Sequence, residues 1–332
     1  MNEISNPLVA EFEPIDPRKF KNPDLTVLGE MRASVALCRL DTLWINTGTL
    51  CNITCANCYI ESSPSNDRLE YFKLADAVSL LDEIETLELG TREIAFTGGE
   101  PFMNPDLLAM METAIARGHD VLVLTNAMQP MQRPGIKDGL IKLNDRFRDR
   151  ITLRVSLDHY TQALHEAERG PKTWQKAICG MDWLNAKGFR IAIAGRTCWG
   201  ETDNISRTGY RDLIAVRGWR IDPENRGQLV LFPEMNAKAD VPEITIACWD
   251  ILKKRPDDQM CATSRMVVKR KGAHGVTILP CTLLPYDGDF DMGPDLASSS
   301  KANYGNFSDG AVKLNHPHCS KFCVLGGASC SG

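Results

Sequence analysis

The stretch DTLWINTGTLCNITCANCY, residues 41–59, decides how this chain is read. Its first half is a short apolar run, which reads as a buried strand. Its second half sets Cys51, Cys55 and Cys58 on the loop that the strand feeds. Downstream, helices and strands alternate. Leu74, Val78, Leu81 and Ile84 recur at helical spacing, and Gly90 stops that helix. REIAFT (92–97) is the second strand. Asn104-Pro105 reads as a helix start, with Asn as cap and Pro at the first helical position. Leu107, Leu108, Met111 and Ile115 line that helix, and Gly118 ends it. DVLVLTN (120–126), ITLRVSLD (151–158), FRIAIAGRT (189–197) and GQLVLF (227–232) are four further strands. Helical segments lie between them, over about 136–146, around Trp174, Ile178, Met181 and Leu184, and, more weakly, before the last strand. Such alternation predicts an α/β fold, a parallel sheet covered by helices, with function at the C-terminal ends of the strands.

Thiolate is a soft ligand that suits iron–sulfur clusters. A cube of four irons met by three local thiolates keeps one iron open to a substrate or cofactor. The competing reading is a structural zinc site that borrows a fourth cysteine, but zinc ribbons favour paired Cys-x-x-Cys halves. The next strand runs straight into Gly98-Gly99-Glu100-Pro101. Two glycines at a strand end let a ligand approach the backbone closely, and Glu100 supplies an acceptor for a cationic amine.

The order strand, Cys-x-x-x-Cys-x-x-Cys, helix, strand, Gly-Gly-Glu-Pro resembles the radical S-adenosylmethionine (SAM) superfamily over about residues 41–235. The resemblance implies a partial (β/α)6 TIM-like barrel over 41–235, behind an N-terminal extension, 1–40. It implies a 4Fe–4S cluster on Cys51, Cys55 and Cys58, chelated at its open iron by the SAM amine and carboxylate. Gly98, Gly99 and Glu100 would hold the amine. Asn126 follows Thr125 at the end of the third strand. Ser156 and Asp158 end the fourth, where relatives place a polar residue at the ribose. Arg169 precedes Gly170, as in many relatives, and Arg196 suits the SAM carboxylate. The residue before the third cysteine is often aromatic in the family; here it is Asn57, so Tyr59 is expected to cover the adenine. Cys198, just past the fifth strand, is the candidate hydrogen-atom donor to a substrate radical. The reading that leads for it is still a small buried hydrophobe, as for Cys179.

After Pro233 the alternation stops and Cys, Gly, Pro and Ser become frequent. Cys261, Gly272, Gly275, Cys281, Cys319, Cys323 and Cys330 follow in an order that resembles the SPASM and shorter twitch auxiliary-cluster domains of radical SAM enzymes. The Gly275–Cys281 spacing is one residue longer than the usual pattern. Residues 236–332 are thus expected to form a small Cys-rich C-terminal domain. It would hold one auxiliary 4Fe–4S cluster on Cys261, Cys281 and two of Cys319, Cys323 and Cys330, or two clusters if Cys248 joins the set. A zinc site with the same ligands is the alternative. His316 and His318 read as loop residues.

The chain has 332 residues, which suggests one large domain or one plus a smaller one. A net charge of −5 argues against a nucleic-acid backbone partner. No apolar run is long enough for a membrane span, and no basic start with an apolar run marks a secretory signal, so a cytoplasmic protein is expected. In that compartment twelve cysteines point to metal or chemistry rather than disulfides. The resemblance implies an enzyme that takes an electron from a donor such as flavodoxin or ferredoxin. It would cleave SAM reductively to a 5′-deoxyadenosyl radical, which abstracts hydrogen from the substrate. The leading substrate is a small molecule, such as an amino sugar or amino acid, with the auxiliary cluster assisting oxidation or rearrangement. The alternative is a maturase of ribosomally made peptides; many of these carry a leader-binding domain, for which the N-terminal extension is too short. A non-catalytic zinc protein is the third reading, and the Gly98–Glu100 turn argues against it.

Overall fold

The computed structural model describes residues 13–233, 236 and 238–327. The apolar run ahead of the cysteine loop forms β1 (Thr42–Asn46), with all five residues buried. A strand with no exposed side needs cover on both faces, which a helix-flanked parallel sheet supplies. β2 (Glu93–Thr97), β3 (Asp120–Thr125), β4 (Ile151–Ser156), β5 (Arg190–Arg196) and β6 (Leu229–Phe232) follow, each parallel to its predecessor. Parallel neighbours need crossovers. These are α1 (Leu74–Thr86), α2 (Leu107–Ala116), α3 (Pro134–Arg146), α4 (Gln162–Arg169) with α5 (Trp174–Ala186), and α6 (Asp203–Arg217). The result is the expected partial (β/α)6 barrel, with its core between sheet and helices.

Two local details differ from the sequence reading. Asn104 does not cap α2, which starts at Leu107 behind a 3-10 turn, Pro101–Met103. Its amide instead donates to Thr47 O and Phe72 O, 2.9 Å each, and its Oδ1 accepts from Asp106 N at 2.8 Å. Asn104 therefore pins the exit of β1 to the entry of α1. The second detail is α4, which apolar periodicity does not reveal because its buried side chains are His165 and Glu168.

The chain beyond β6 returns to the barrel sheet. β7 (Ser264–Val268) pairs in parallel with β1, and β8 (Thr277–Leu279) pairs antiparallel with β7. The sheet order is β6-β5-β4-β3-β2-β1-β7-β8. The N-terminal segment is stitched to this region. Ser34–Val35 pairs with Ala311–Lys313, and Arg32 meets Glu243 at 2.6 Å with almost no exposure of either side chain.

Candidate active site

Beyond β1 the backbone of 47–50 runs beside that of 98–100, beyond β2. Thr47 N donates to Thr97 O at 2.8 Å, Gly99 N to Gly48 O at 2.8 Å and Glu100 N to Leu50 O at 3.1 Å. This contact demands the two glycines. A Cβ on Gly98 would stand 2.5 Å from Gly48 O, and one on Gly99 2.1 Å from Leu50 O. Gly98 also adopts φ +140°, which side chains rarely allow. The Gly-Gly pair thus locks the cysteine loop against the next strand's turn.

Glu100 is turned into the protein. It is 2 % exposed. Its Oε1 accepts from Thr125 Oγ1 (2.8 Å) and Phe102 N (3.2 Å), and its Oε2 from Asn126 N (2.8 Å). Burial pushes its carboxyl up to about 6, against the pull of these donors. Asn126, placed by this clamp, donates from Nδ2 to Asn52 Oδ1 of the cysteine loop at 2.9 Å.

A cavity of about 150 Å³ opens at this end of the sheet. Cys51, Cys55 and Cys58 line it, together with Tyr59, Gly98, Gly99, Asn126, Ser156, Asp158, Arg169 and Arg196. Glu100 and Cys198 are not part of its wall. Cys198 sits in the turn after β5, where burial pushes its thiol up to about 11. Burial likewise pushes Cys51 up to about 12 and Cys55 to about 11. A metal bound to such a thiol takes the proton's place and holds it as the thiolate. Cys58 Sγ accepts from Ser62 N at 3.3 Å.

The polar wall is organised by Glu168, which the sequence reading did not single out. Its Oε1 accepts from Arg196 Nη1 (2.9 Å) and Asn57 N (3.0 Å), and its Oε2 from Asn57 Nδ2 (2.8 Å). Its carbonyl accepts from Ala56 N at 2.8 Å. One residue thus fixes both the Cys55–Cys58 segment and the Arg196 guanidinium. Arg196 Nη2 is buried and has no hydrogen-bond partner among the described residues. Beside it, Arg169 meets Asp158 through two contacts, Nε–Oδ2 at 2.5 Å and Nη2–Oδ1 at 3.2 Å. Burial opposes the Arg169 charge, but Asp158, Cys55 and Glu168 together more than offset this and hold its pKa above the usual value. A sequence signal for Glu168 existed. It is a carboxylate in the last turn of α4, where the helix dipole disfavours one.

A second, small cavity of about 20 Å³ brings together Cys261, Cys281, Cys319 and Cys323. Cys261 lies in the 3-10 turn before β7, and Cys281 two residues past β8. Cys319 and Cys323 sit on a π-helical turn, Cys319–Leu325, a wide winding frequent at functional sites. Burial pushes the Cys261 thiol up to about 11 and Cys319 well above its usual value. Cys330 lies outside the described residues. Cys248 does not line this cavity and accepts from Thr245 N at 3.3 Å. His318 lines it, and burial lowers its pKa to about 4. Leu283 lines both cavities. Among the described residues no three His, Cys, Asp or Glu side chains converge tightly enough for a single metal ion. A larger cavity, about 750 Å³, opens at the opposite end of the sheet among charges of both signs, with none of the expected site residues in its wall.

The sequence pattern of the Radical SAM superfamily matches residues 45–205, the segment that carries the three-cysteine loop and the Gly-Gly-Glu-Pro turn. Those residues form a radical SAM domain. It is similar to mycofactocin maturase MftC of Mycobacterium ulcerans (strain Agy99), 26% identical over 61% of this chain and 53% of that protein. It is also similar to the antilisterial bacteriocin subtilosin biosynthesis protein AlbA of Bacillus subtilis (strain 168), 28% identical over 57% and 41%. GTP 3',8-cyclase of Pseudomonas savastanoi pv. phaseolicola (strain 1448A / Race 6) is 27% identical over 46% and 43%. The chain therefore spans about half the length of the curated relatives it matches. In fold it resembles Streptococcus suis SuiB bound to S-adenosylmethionine, with TM-score 0.58 at 14% identity over 81% of this chain and 67% of that one. It resembles native anSMEcpe with bound AdoMet as well, with TM-score 0.55 at 14% identity over 79% and 80%.

A radical SAM domain implies SAM and a 4Fe–4S cluster. The barrel cavity fits both in its donor chemistry: three soft thiols stand together, and a buried guanidinium nitrogen has spare capacity for an anion. No helix among the described residues is long and apolar enough to cross a membrane.

Proposed function

We propose that this radical SAM chain oxidises or rearranges its substrate with the help of a second iron–sulfur cluster held by Cys261, Cys281, Cys319 and Cys323. The observation that carries the reading is the shared wall: Leu283 lines both the three-cysteine cavity and the four-cysteine one. Residues 236–332 act in this reading as the SPASM/twitch-like auxiliary unit. Cys51, Cys55 and Cys58 hold the first cluster. When bound, that cluster and SAM supply one-electron cleavage of SAM and hydrogen-atom abstraction from the substrate.

The chain's own side chains bind, orient and exclude water. Arg196 Nη2 meets the SAM carboxylate. Gly98 and Gly99 bring bare backbone to the amine, while Glu100 acts behind them by holding the Asn126 turn. Ser156 and Asp158 stand for the ribose, and Tyr59 for the adenine. Leu283, Phe232 and Phe322 give the cavity an apolar side that keeps water from a reactive intermediate. Cys198 keeps its proton at neutral pH, the form a hydrogen-atom donor needs. Flavodoxin or ferredoxin is the proposed electron source.

The substrate class we favour is a small molecule such as an amino sugar or amino acid. A peptide substrate is the second reading, supported by the names of two relatives, a mycofactocin maturase and a subtilosin biosynthesis protein. Replacing Cys281 with Ala should lower the iron and sulfide content of anaerobically purified protein by one cluster. An unchanged content removes Cys281 from the auxiliary set. Screening 5′-deoxyadenosine formation against small molecules and peptides encoded beside this gene decides the substrate class.

A further inference from the structure

Arg265, on β7, has no exposed surface. Three other arginines with buried or nearly buried side chains have carboxylate partners: Arg32 has Glu243, Arg169 has Asp158 and Arg196 has Glu168. Among the described residues, Arg265 has only carbonyls as hydrogen-bond partners. Its Nη1 donates to Cys261 O (2.6 Å) and Ser264 O (2.8 Å), and its Nη2 to Gly310 O (3.3 Å). Its Nε is buried and finds no partner among the described residues. Carbonyl dipoles orient a guanidinium but do not neutralise it. Arginine does not shed its proton in a protein, and an uncompensated buried charge is strongly unfavourable. The groups that bear on its charge in a favourable sense are Cys261 and Cys281, both in the wall of the four-cysteine cavity.

We propose that Arg265 is a positioning residue, the built-in counter-charge of the auxiliary cluster. The inference rests on the auxiliary-cluster reading above. A cluster held by four thiolates is a net anion and gains a further negative charge on reduction. A fixed cation behind two of the ligands therefore favours the thiolate set and stabilises the reduced state more than the oxidised one. The consequence is a raised reduction potential, which suits a cluster that accepts an electron from a substrate radical. The carbonyl of Cys261 holds the guanidinium to the same turn that presents the Cys261 thiol, so charge and ligand move together.

The test uses the full chain carrying Cys55→Ala, which removes the first cluster so that the remaining paramagnetic signal is the auxiliary one. Iron and sulfide are counted, and the midpoint potential is followed by electron paramagnetic resonance, with and without Arg265→Gln and Arg265→Lys. Gln keeps a donor and removes the charge; Lys keeps the charge. The expected result with Gln is a more negative midpoint, or loss of one cluster's iron, with Lys returning both toward the parent. A full iron count with an unmoved midpoint in the Gln variant overturns the inference and leaves the cluster standing. Loss of iron in both variants also overturns it, because a retained charge then gives no rescue. If unmodified protein carries iron for one cluster only, the auxiliary-cluster reading falls and takes the inference with it.

Discussion

Glu168 joins two sides of the cavity that lie far apart in sequence. Asn57 is 111 residues from it and Arg196 is 28. No local pattern encodes such a convergence, whereas Cys51, Cys55 and Cys58 form one compact motif, Gly98 and Gly99 another, and the order of the two motifs can be read along the chain. Glu168→Gln leaves the Arg196 charge buried without its counter-charge, and breaking such a pair costs about 3 kcal/mol. Urea denaturation should show that loss, together with weaker SAM binding; a cost of under about 1 kcal/mol would mean that Arg196 finds other solvation. Glu100 shows what a motif leaves out. Gly-Gly-Glu-Pro specifies a carboxylate at a strand end but not the direction it takes, which Thr125 and Asn126 decide from the neighbouring strand. Its folded pKa of about 6 lies above the unfolded 4.5, so the folded state holds its proton more tightly. Stability from this group is therefore full below about pH 4.5 and is lost as pH rises through 6, by about 2 kcal/mol in all. The stability difference between wild type and Glu100→Gln should fall by that amount across the window. A flat difference would rule out a buried, proton-holding carboxyl.

The elements best read in advance are those whose buried face is apolar. β1 to β6 and most of the crossover helices announce themselves by runs or periodicity. α4 does not, because it buries His165 and Glu168. β7 is not legible for another reason: its partner is β1, at the other end of the barrel sequence, and pairing order is invisible in a local window. Asn104 before Pro105 has the sequence form of a helix cap, but two buried carbonyls compete for its amide. Asn104→Ala leaves the carbonyls of Thr47 and Phe72 without this donor, at about 2 kcal/mol. The urea midpoint should drop accordingly while helical circular dichroism stays unchanged; an unaltered midpoint would show that water replaces the amide.

At the scale of the molecule, the barrel and the chain beyond it share one sheet through β1 and β7, one wall at Leu283, and one N-terminal strap through Arg32 and Glu243. Units tied in this way should unfold together. Tryptophan fluorescence and far-ultraviolet circular dichroism should report coincident urea transitions; two separated transitions would show that the C-terminal region folds independently. The central claim concerns the three-cysteine loop. Its most direct test is 5′-deoxyadenosine formation by the reduced, anaerobically purified chain with SAM. Wild type should release 5′-deoxyadenosine, and Cys55→Ala, folded by circular dichroism, should release none. Release from Cys55→Ala at the wild-type rate would contradict the assignment of the SAM-cleaving cluster to Cys51, Cys55 and Cys58.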